Sequence, residues 1–464
     1  MTAAPKAPNA PDPQVVKDLR AVVGAEHVMV EPDLTASYAT DWTGRFTGTP
    51  SAVIRPGTAA EVAEIITLCR AASIALVPQG GNTGLVGGGV PLAGEAVLSL
   101  RRLSGITDID RRAGQLTAGA GTSVTDVQAA AVATGWAYGI DLGSRDSATV
   151  GGTVATNAGG LQVLRHGATR AQLTGMEAVL GTGAVVSHLG GLLKDNTGYD
   201  LAGLLCGSEG TLGVVTAARL RLVPPSPERV VALLAFSSTP DAVDAAFLLR
   251  RALPDLQSLE LFLRAGLDLV CRVTGAAHPF VDPHPAFLLA EVAGPTDPMP
   301  AMAAALDSVP SVADVAVAAD STRQAQLWRY REGHTEAINT LGAPHKLDVT
   351  LPAPELAAFI DRVPDVVADA DARATTWLFG HAADGNVHVN ITGLAADDLA
   401  VDERVLTYAA SLGGSISAEH GIGTAKRPWL HLNRSEAEIA AFRSIKDALD
   451  PAGILNPNVL LPPL

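Results

Sequence analysis

The sequence predicts an α+β protein of two or three domains, with a glycine-rich first half and a mixed sheet domain behind it. Three observations carry this. A chain of 464 residues exceeds what one hydrophobic core ordinarily organises. The proline-rich punctuation VPPSPERV at 223–230 divides it. Beyond that point the strand-like VVALLAF precedes the amphipathic DAVDAAFLLRRAL, and similar alternation runs to about residue 410. The expected divisions are a disordered tail over 1–15, a first domain over 16–225, a second over 226–410 and a C-terminal segment over 411–464.

The start, MTAAPKAPNAPDPQ, lacks the apolar core of a secretory signal and reads as a frayed tail. A helix is predicted over 59–72. Thr58 and Glu61 match a capping box, and Val62, Ile65, Ile66 and Cys69 recur at i, i+3, i+4 and i+7. A strand at Ala75–Val77 and the strand-like AVLSL at 96–100 flank a glycine loop. Residues 112–223 are rich in Gly, Thr and Val, with short strands such as LTAGAG and TGMEAVL. In the second domain REGHTEAINTLG reads as a helix and KLDVTL as a strand, while TTWLF, HAADGN and VHVNIT read as strand, turn and strand. The chain closes with a helix, SEAEIAAFRSIKDALD, stopped by DPAGILNP.

Composition narrows the function. At 47% hydrophobic and 17% charged, the chain is an ordinary globular one. A net charge of −15 without a basic block argues against a nucleic-acid partner. Cys69, Cys206 and Cys271 are odd in number and lack CxxC spacing, so neither a disulfide framework nor a zinc knuckle is expected. No run approaches the roughly 18 apolar residues of a membrane span. A cytoplasmic protein is expected.

The loop PQGGNTGLVGGGVP, 78–91, holds six glycines in fourteen residues. Such backbone can approach an anion closely, so a phosphate or pyrophosphate suits it. It is neither a Walker A nor a GxGxxG motif. A flexible surface loop is the alternative. A second cluster, DLGSRDSATVGGTVATNAGGLQVLRHG with KDNTGYDL and GSEGTLGVV, keeps side chains small over a long stretch. Either a large flat ligand lies against it or it is simply a tightly turned β-rich domain.

HAADGNVHVN, 381–390, puts His388 and Asn390 on one strand face, with His381 ending the strand before the turn. Two histidines need a third ligand, and SISAEHGIG offers Glu419 beside His420. Two histidines and a carboxylate form a common catalytic metal set, though paired histidines at a turn are often only polar decoration. Arg331 and Thr335 lie four apart on a helix face, with Lys346 opening the next strand. They are either a solvated edge or an anion site.

PQGGNTG, GGTVATNAGG and GSEGTLG resemble the FAD-binding domain of the vanillyl-alcohol-oxidase type of flavoprotein. From about residue 45 to the C-terminus, their order and spacing are similar to those of the FAD-linked 2-hydroxy-acid dehydrogenases. HAADGNVH and SAEHGIG resemble the marks of the metal-dependent branch. The resemblance implies an FAD-binding domain of two α+β subdomains over 16–225. It also implies an α+β substrate (cap) domain with an antiparallel sheet over 226–410, and a C-terminal helical segment over 411–464 that returns to the flavin site.

By this resemblance Pro78, Gln79, Gly80, Gly81, Asn82, Thr83 and Gly84, with Gly87 and Gly88, wrap the FAD pyrophosphate. Asn157, Gly159 and Gly160 line the flavin side, and Glu209, Gly210 and Gly213 lie near the nucleotide half. Gly151 and Asn456 complete the cofactor contacts. The first loop lacks the histidine that tethers FAD in some relatives, so non-covalent FAD is implied. His381, His388 and Glu419 become ligands of a divalent metal, with zinc the first choice. His420 becomes the catalytic base and, with Asn390, touches substrate. Arg331, Thr335 and Lys346 bind substrate carboxylate.

The implied reaction oxidises a D-2-hydroxy acid, D-2-hydroxyglutarate foremost, by hydride transfer to flavin N5. An electron-transfer flavoprotein or quinone then accepts the electrons, and a homodimer is the expected assembly. D-lactate or glycolate is the alternative substrate, and a flavin-free metallohydrolase the alternative of another class. Two positions depart from the pattern: His166, where relatives carry Tyr, and Ala383, where they carry Gly.

Overall fold

The computed structural model describes residues 11–463. Residues 1–10 of the expected tail lie outside the described residues. The tail does not extend to residue 15, because Pro13–Val23 is a helix. Asp12 caps it by accepting from Gln14 N, Pro13 occupies the first helical position, and Val16, Leu19 and Val23 are buried. Asp12 and Pro13 are a helix start.

The chain forms two compact units. The first contains the described residues up to Gly160, then Gly167–Pro224 and Glu419 onward. It holds two sheets, as expected for two α+β subdomains. One is four-stranded, in the order Val28–Met29, Val53–Ile54, Ala96–Ser99, Leu76–Gln79, and the last two strands are parallel with the glycine loop between them. The predicted helix spans Ala59–Ala71, with Val62, Ile65, Ile66 and Cys69 fully buried on this sheet's core. Thr58 caps it, but Glu61 reaches back to Gly57 N and not to Thr58 N, so the reciprocal box is displaced by one residue. The five-stranded sheet is antiparallel and includes Gln115–Gly119, Leu173–Leu180 and Gly213–Arg221. The C-terminal helix Glu436–Leu449 begins with a full capping box from Ser435 and Glu438. Behind it the chain runs back to the first sheet, where Leu76 N donates to Ile454 O and Asn456 N to Leu76 O.

The second unit is Leu161–His166 with Pro225–Ala418, and so continues past the expected end at 410. Leu161–His166 joins it because Ser258 Oγ donates to Leu161 O and Arg165 pairs with Asp255. Its antiparallel sheet has seven strands, with Leu256–Leu263, Thr375–His381, Asn386–Thr392 and His345–Thr350 adjacent in that order. One face packs Phe262, Phe287, Leu289 and Phe379 against the helices Arg264–Thr274 and Ser321–Asn339. Residues 415–418 extend the edge, with bridges Thr350↔Ser415 and Asp348↔Ser417. Among the described residues no helix is long and apolar enough to cross a membrane. Cys69, Cys206 and Cys271 are buried free thiols.

Candidate active site

Strand register gathers the chemistry of the second unit on one sheet face. Lys346 pairs with Asn390, and Asp348 with His388. Asn390 in turn faces Trp377, and His388 faces Phe379. Glu260 faces His381, and Phe262 faces Phe379. Residues directly opposite in a ladder project to the same side, and positions two apart along a strand do the same. Glu260, Lys346, Asp348, His381, His388 and Asn390 therefore share the face covered by the Ser321–Asn339 helix.

The hairpin brings His381 and His388 together. A 3₁₀ turn, Ala382–Asp384, closes on Gly385 at φ 71°, a left-handed position suited to glycine. The two rings lie 5.2 Å apart, edge to face, with ligand nitrogens within 4.8 Å. Ala383 fits this turn: its side chain is buried and its carbonyl accepts from Arg250. His381 Nδ1 donates to Glu260 at 2.7 Å, and His388 Nδ1 lies 3.1 Å from the Asp348 carboxylate. A proton on Nδ1 leaves the lone pair on Nε2, and a carboxylate behind each ring is how metal-binding histidines are commonly held. These residues fit a divalent metal on the chemistry of their donor set.

Glu260 and Asp348 were not singled out from sequence. The signal at Glu260 was one carboxylate in an otherwise uncharged strand, LQSLELFL. Burial raises its pKa, but the neighbouring His381 and Arg331 outweigh this and hold it below the usual carboxylate range.

Arg331 comes from the helix Ser321–Asn339. Its Nη2 meets Glu260 at 2.7 Å and its guanidinium stacks 4.5 Å from the Phe379 ring centroid. The helix edge is therefore not solvated at this position, since Arg331 is buried, while Thr335 one turn later is half-buried. Lys346 Nζ donates to Asn390 Oδ1 at 3.4 Å, and burial lowers its pKa to about 8. Arg331 Nε and Asn390 Nδ2 are buried donors with no protein acceptor. Such groups are costly unless a ligand or water takes the bond. His334 on the same helix was missed. It is wedged between Phe262 and Phe379, 5.2 Å from each ring, and burial pulls its pKa down to about 3.

The first unit builds a glycine cradle. A Cβ on Gly81 would overlap Ser147 O and one on Gly80 would overlap Thr149 Oγ1, so the loop lies against the turn that opens the helix Val150–Thr156. A Cβ on Gly151 would likewise crowd Ala120. Pro78 and Gln79 end the strand, and Gln79 holds the loop's shape by donating to Tyr38 O and Gly89 O. No backbone N–H of residues 81–86, Thr83 included, donates to another backbone group among the described residues. At Gly84 the space is open for 4 Å. Asn456 Nδ2 donates to Gly88 O and Glu209 O, which ties three separate glycine-rich or turn segments together.

Six non-glycine residues have left-handed backbone among those described, and four of them are Asn82, Asn157, Glu209 and Asn456. Strain of this kind concentrates at binding sites. Gly87, Gly160 and Gly210 are left-handed as well. Gly213 is a packing glycine against Leu205 and Leu180, while Gly159 is buried beside Gly160. N–H groups that no other backbone group takes up, in a cradle of glycines, fit the diphosphate of FAD. His166 ends the short helix Val163–His166, which belongs to the second unit.

The SAEHGIG segment has firm anchors on either side of Glu419 and His420. Ala418 N donates to Asp348 O on the second unit's sheet edge. In the first unit Ile422 N and Gly423 N donate to the Glu209 carboxylate at 2.8 and 2.7 Å, and Thr424 N and Ala425 N donate to Val86 O in the glycine loop. Glu209 therefore directs its side chain at protein amides. Burial raises its pKa, opposed by those two bonds.

Two family models match the chain. Residues 50–188 match a family described as FAD binding domain, and residues 226–460 match FAD linked oxidases, C-terminal domain. The chain is 38% identical over 461 residues to a D-2-hydroxyglutarate dehydrogenase of Xanthomonas citri pv. viticola, covering 97% of each. It is 37% identical over 445 residues to a mitochondrial D-2-hydroxyglutarate dehydrogenase of Danio rerio, covering 94% of this chain and 83% of the relative. Among solved structures, p-cresol methylhydroxylase superposes with a TM-score of 0.77, covering 97% of this chain and 96% of the other. At 18% identity that likeness speaks for the fold alone.

Proposed function

Since the chain belongs to the FAD-linked oxidases and is a flavin-dependent oxidoreductase, we propose that it oxidises D-2-hydroxyglutarate to the 2-oxo acid with the help of a divalent metal. The observation that carries the substrate is the set of buried donors between one sheet face and the helix that covers it. Arg331 Nε, Asn390 Nδ2 and the Lys346 ammonium offer more positive, donating surface than one carboxylate needs. A second carboxylate on the substrate accounts for the rest. Membership in an FAD-binding family removes the flavin-free metallohydrolase.

His381 and His388 would hold the metal with Glu419, which follows Ala418 by one peptide bond. Bound metal supplies a Lewis acid that makes a hydroxyl easier to ionise. FAD, held non-covalently by the glycine cradle, supplies the two-electron acceptor. The chain's own residues do the remainder. Arg331, Thr335 and Lys346 take the substrate carboxylates and fix which carbon is presented. Asn390 Nδ2 donates to a substrate oxygen. A ring nitrogen of His420 receives the hydroxyl proton, a task suited to imidazole near neutral pH. The anchors on both sides of His420 hold its backbone still during that transfer.

Reoxidation by an electron-transfer flavoprotein or quinone, zinc as the metal, a homodimer and a cytoplasmic setting complete the proposal. The Danio rerio relative is named mitochondrial. The test is anaerobic flavin bleaching by D-2-hydroxyglutarate, before and after EDTA, with D-lactate and L-2-hydroxyglutarate alongside. Bleaching by the D-diacid alone, abolished by EDTA and restored by zinc, is expected. Bleaching by D-lactate in preference would transfer the assignment to that substrate.

A further inference from the structure

Glu260 touches two residues that the proposed function gives to two different ligands. Its Oε1 accepts the Nδ1–H of His381 at 2.7 Å, and its Oε2 lies 2.7 Å from Arg331 Nη2. The carboxylate is 1% exposed. Taking a charge so far from water is costly, and it persists only where partners compensate. Here the compensation comes from the metal side and from the substrate side at once.

The arrangement follows from register and helix placement. Glu260 and His381 are directly opposed on neighbouring antiparallel strands. Arg331 descends from the covering helix with its guanidinium stacked on Phe379, two residues before His381. One carboxylate can therefore set the His381 tautomer and the Arg331 rotamer together. With Nη2 at Glu260, Arg331 keeps Nε buried and without a protein acceptor.

We infer that Glu260 is a positioning residue that couples the metal ligand His381 to the substrate-anchoring Arg331. A carboxylate behind a ligating imidazole raises its basicity and fixes its orientation, and its loss typically weakens metal binding ~10–100-fold. Removing the same carboxylate frees Arg331 to turn, so substrate affinity falls in the same variant. This inference rests on the metal and substrate roles proposed above.

Glu260→Gln in the full-length, flavin-loaded protein tests it. A glutamine oxygen can accept from His381 or from Arg331, but its amide then opposes a donor on the other side. Zn²⁺ affinity is measured by competition with a chromophoric chelator, and KM for D-2-hydroxyglutarate by steady-state kinetics with saturating zinc. The expected result is ~10–100-fold weaker zinc and a KM raised roughly tenfold, with flavin content and thermal midpoint close to those of the unsubstituted protein. Unchanged zinc affinity, or weakened zinc with unchanged KM, overturns the coupling. Should Glu260→Gln fail to accumulate folded, Glu260→Asp decides by the same two readouts. Its carboxylate is one methylene short of reaching both partners, and two unchanged values overturn the coupling. If the unsubstituted protein binds no zinc at all, the metal reading itself fails, which is a distinct result.

Discussion

Glu209 accepts the backbone N–H of Gly423 at 2.7 Å, a bond between residues 214 apart in the chain. The same carboxylate accepts from Ile422 N at 2.8 Å. The proposed base His420 therefore sits two residues from an amide pair held by a buried anion. Glu209, expected near the nucleotide half of FAD, uses its side chain for the turn behind the proposed base.

Glu209→Gln presents an amide NH₂ to one of those backbone donors. Leaving one buried N–H unpaired costs about 1–3 kcal/mol. The expected outcome is a lower thermal midpoint and kcat reduced roughly tenfold with KM little changed, read by steady-state kinetics on flavin-matched samples. A variant with full kcat would show that the turn holds His420 without Glu209.

Lys346 carries a pH dependence. Burial lowers its pKa to about 8, so it is cationic below that pH and neutral above it. An anion site that relies on its charge weakens as pH rises. KM for D-2-hydroxyglutarate is expected to climb above about pH 8. Lys346→Met should raise that KM by about 10–100-fold at neutral pH, the scale of one charge-assisted hydrogen bond, and flatten the climb. Turnover of D-lactate measured beside it should change little.

His334 ties stability to acid. Its folded-state pKa is depressed to about 3 by burial, against about 6.5 when unfolded. Between these values the unfolded chain binds the proton and the folded one does not, so stability falls as pH drops through that window. The slope is roughly 1.4 kcal/mol per pH unit from this group. His334→Leu should unfold at a lower pH than the unsubstituted protein when melts are run from pH 7 to 4. Parallel acid profiles would remove His334 from the account.

Asn456 ties the glycine cradle together through two side-chain donations, to Gly88 O at 2.9 Å and Glu209 O at 2.8 Å. Its φ of 46° is one that glycine also adopts. Asn456→Gly thus keeps the backbone and deletes only the bonds. FAD dissociation constants measured by fluorescence should rise about tenfold, the equivalent of roughly 1.4 kcal/mol. Equal affinity would show that the cradle closes without them.

Much of this protein was legible in its sequence, and the legible part has a common cause. Strand side chains alternate with period two, so His388 and Asn390 had to share a face. A helix repeats every 3.6 residues, so Arg331 and Thr335 had to lie together. The glycine loop had to fall between two strands because short apolar runs flank it. The motifs around Gly80, Asn157 and Glu209 are local, so they could carry the family resemblance that implied a cofactor cradle.

The partners that hold these groups were not legible. Glu260 and His381 are 121 residues apart, and nothing in either strand says that the two are neighbours in the sheet. Strand order and register decide that Asp348 backs His388 and that Lys346 meets Asn390. Helix packing decides that Arg331 meets the Glu260 carboxylate. The sequence by itself determined which residue types stand on which face of each element, because that depends only on backbone periodicity. Only the tertiary structure decided which faces meet, because that depends on how distant segments pack to bury their apolar surface and pair their buried charges.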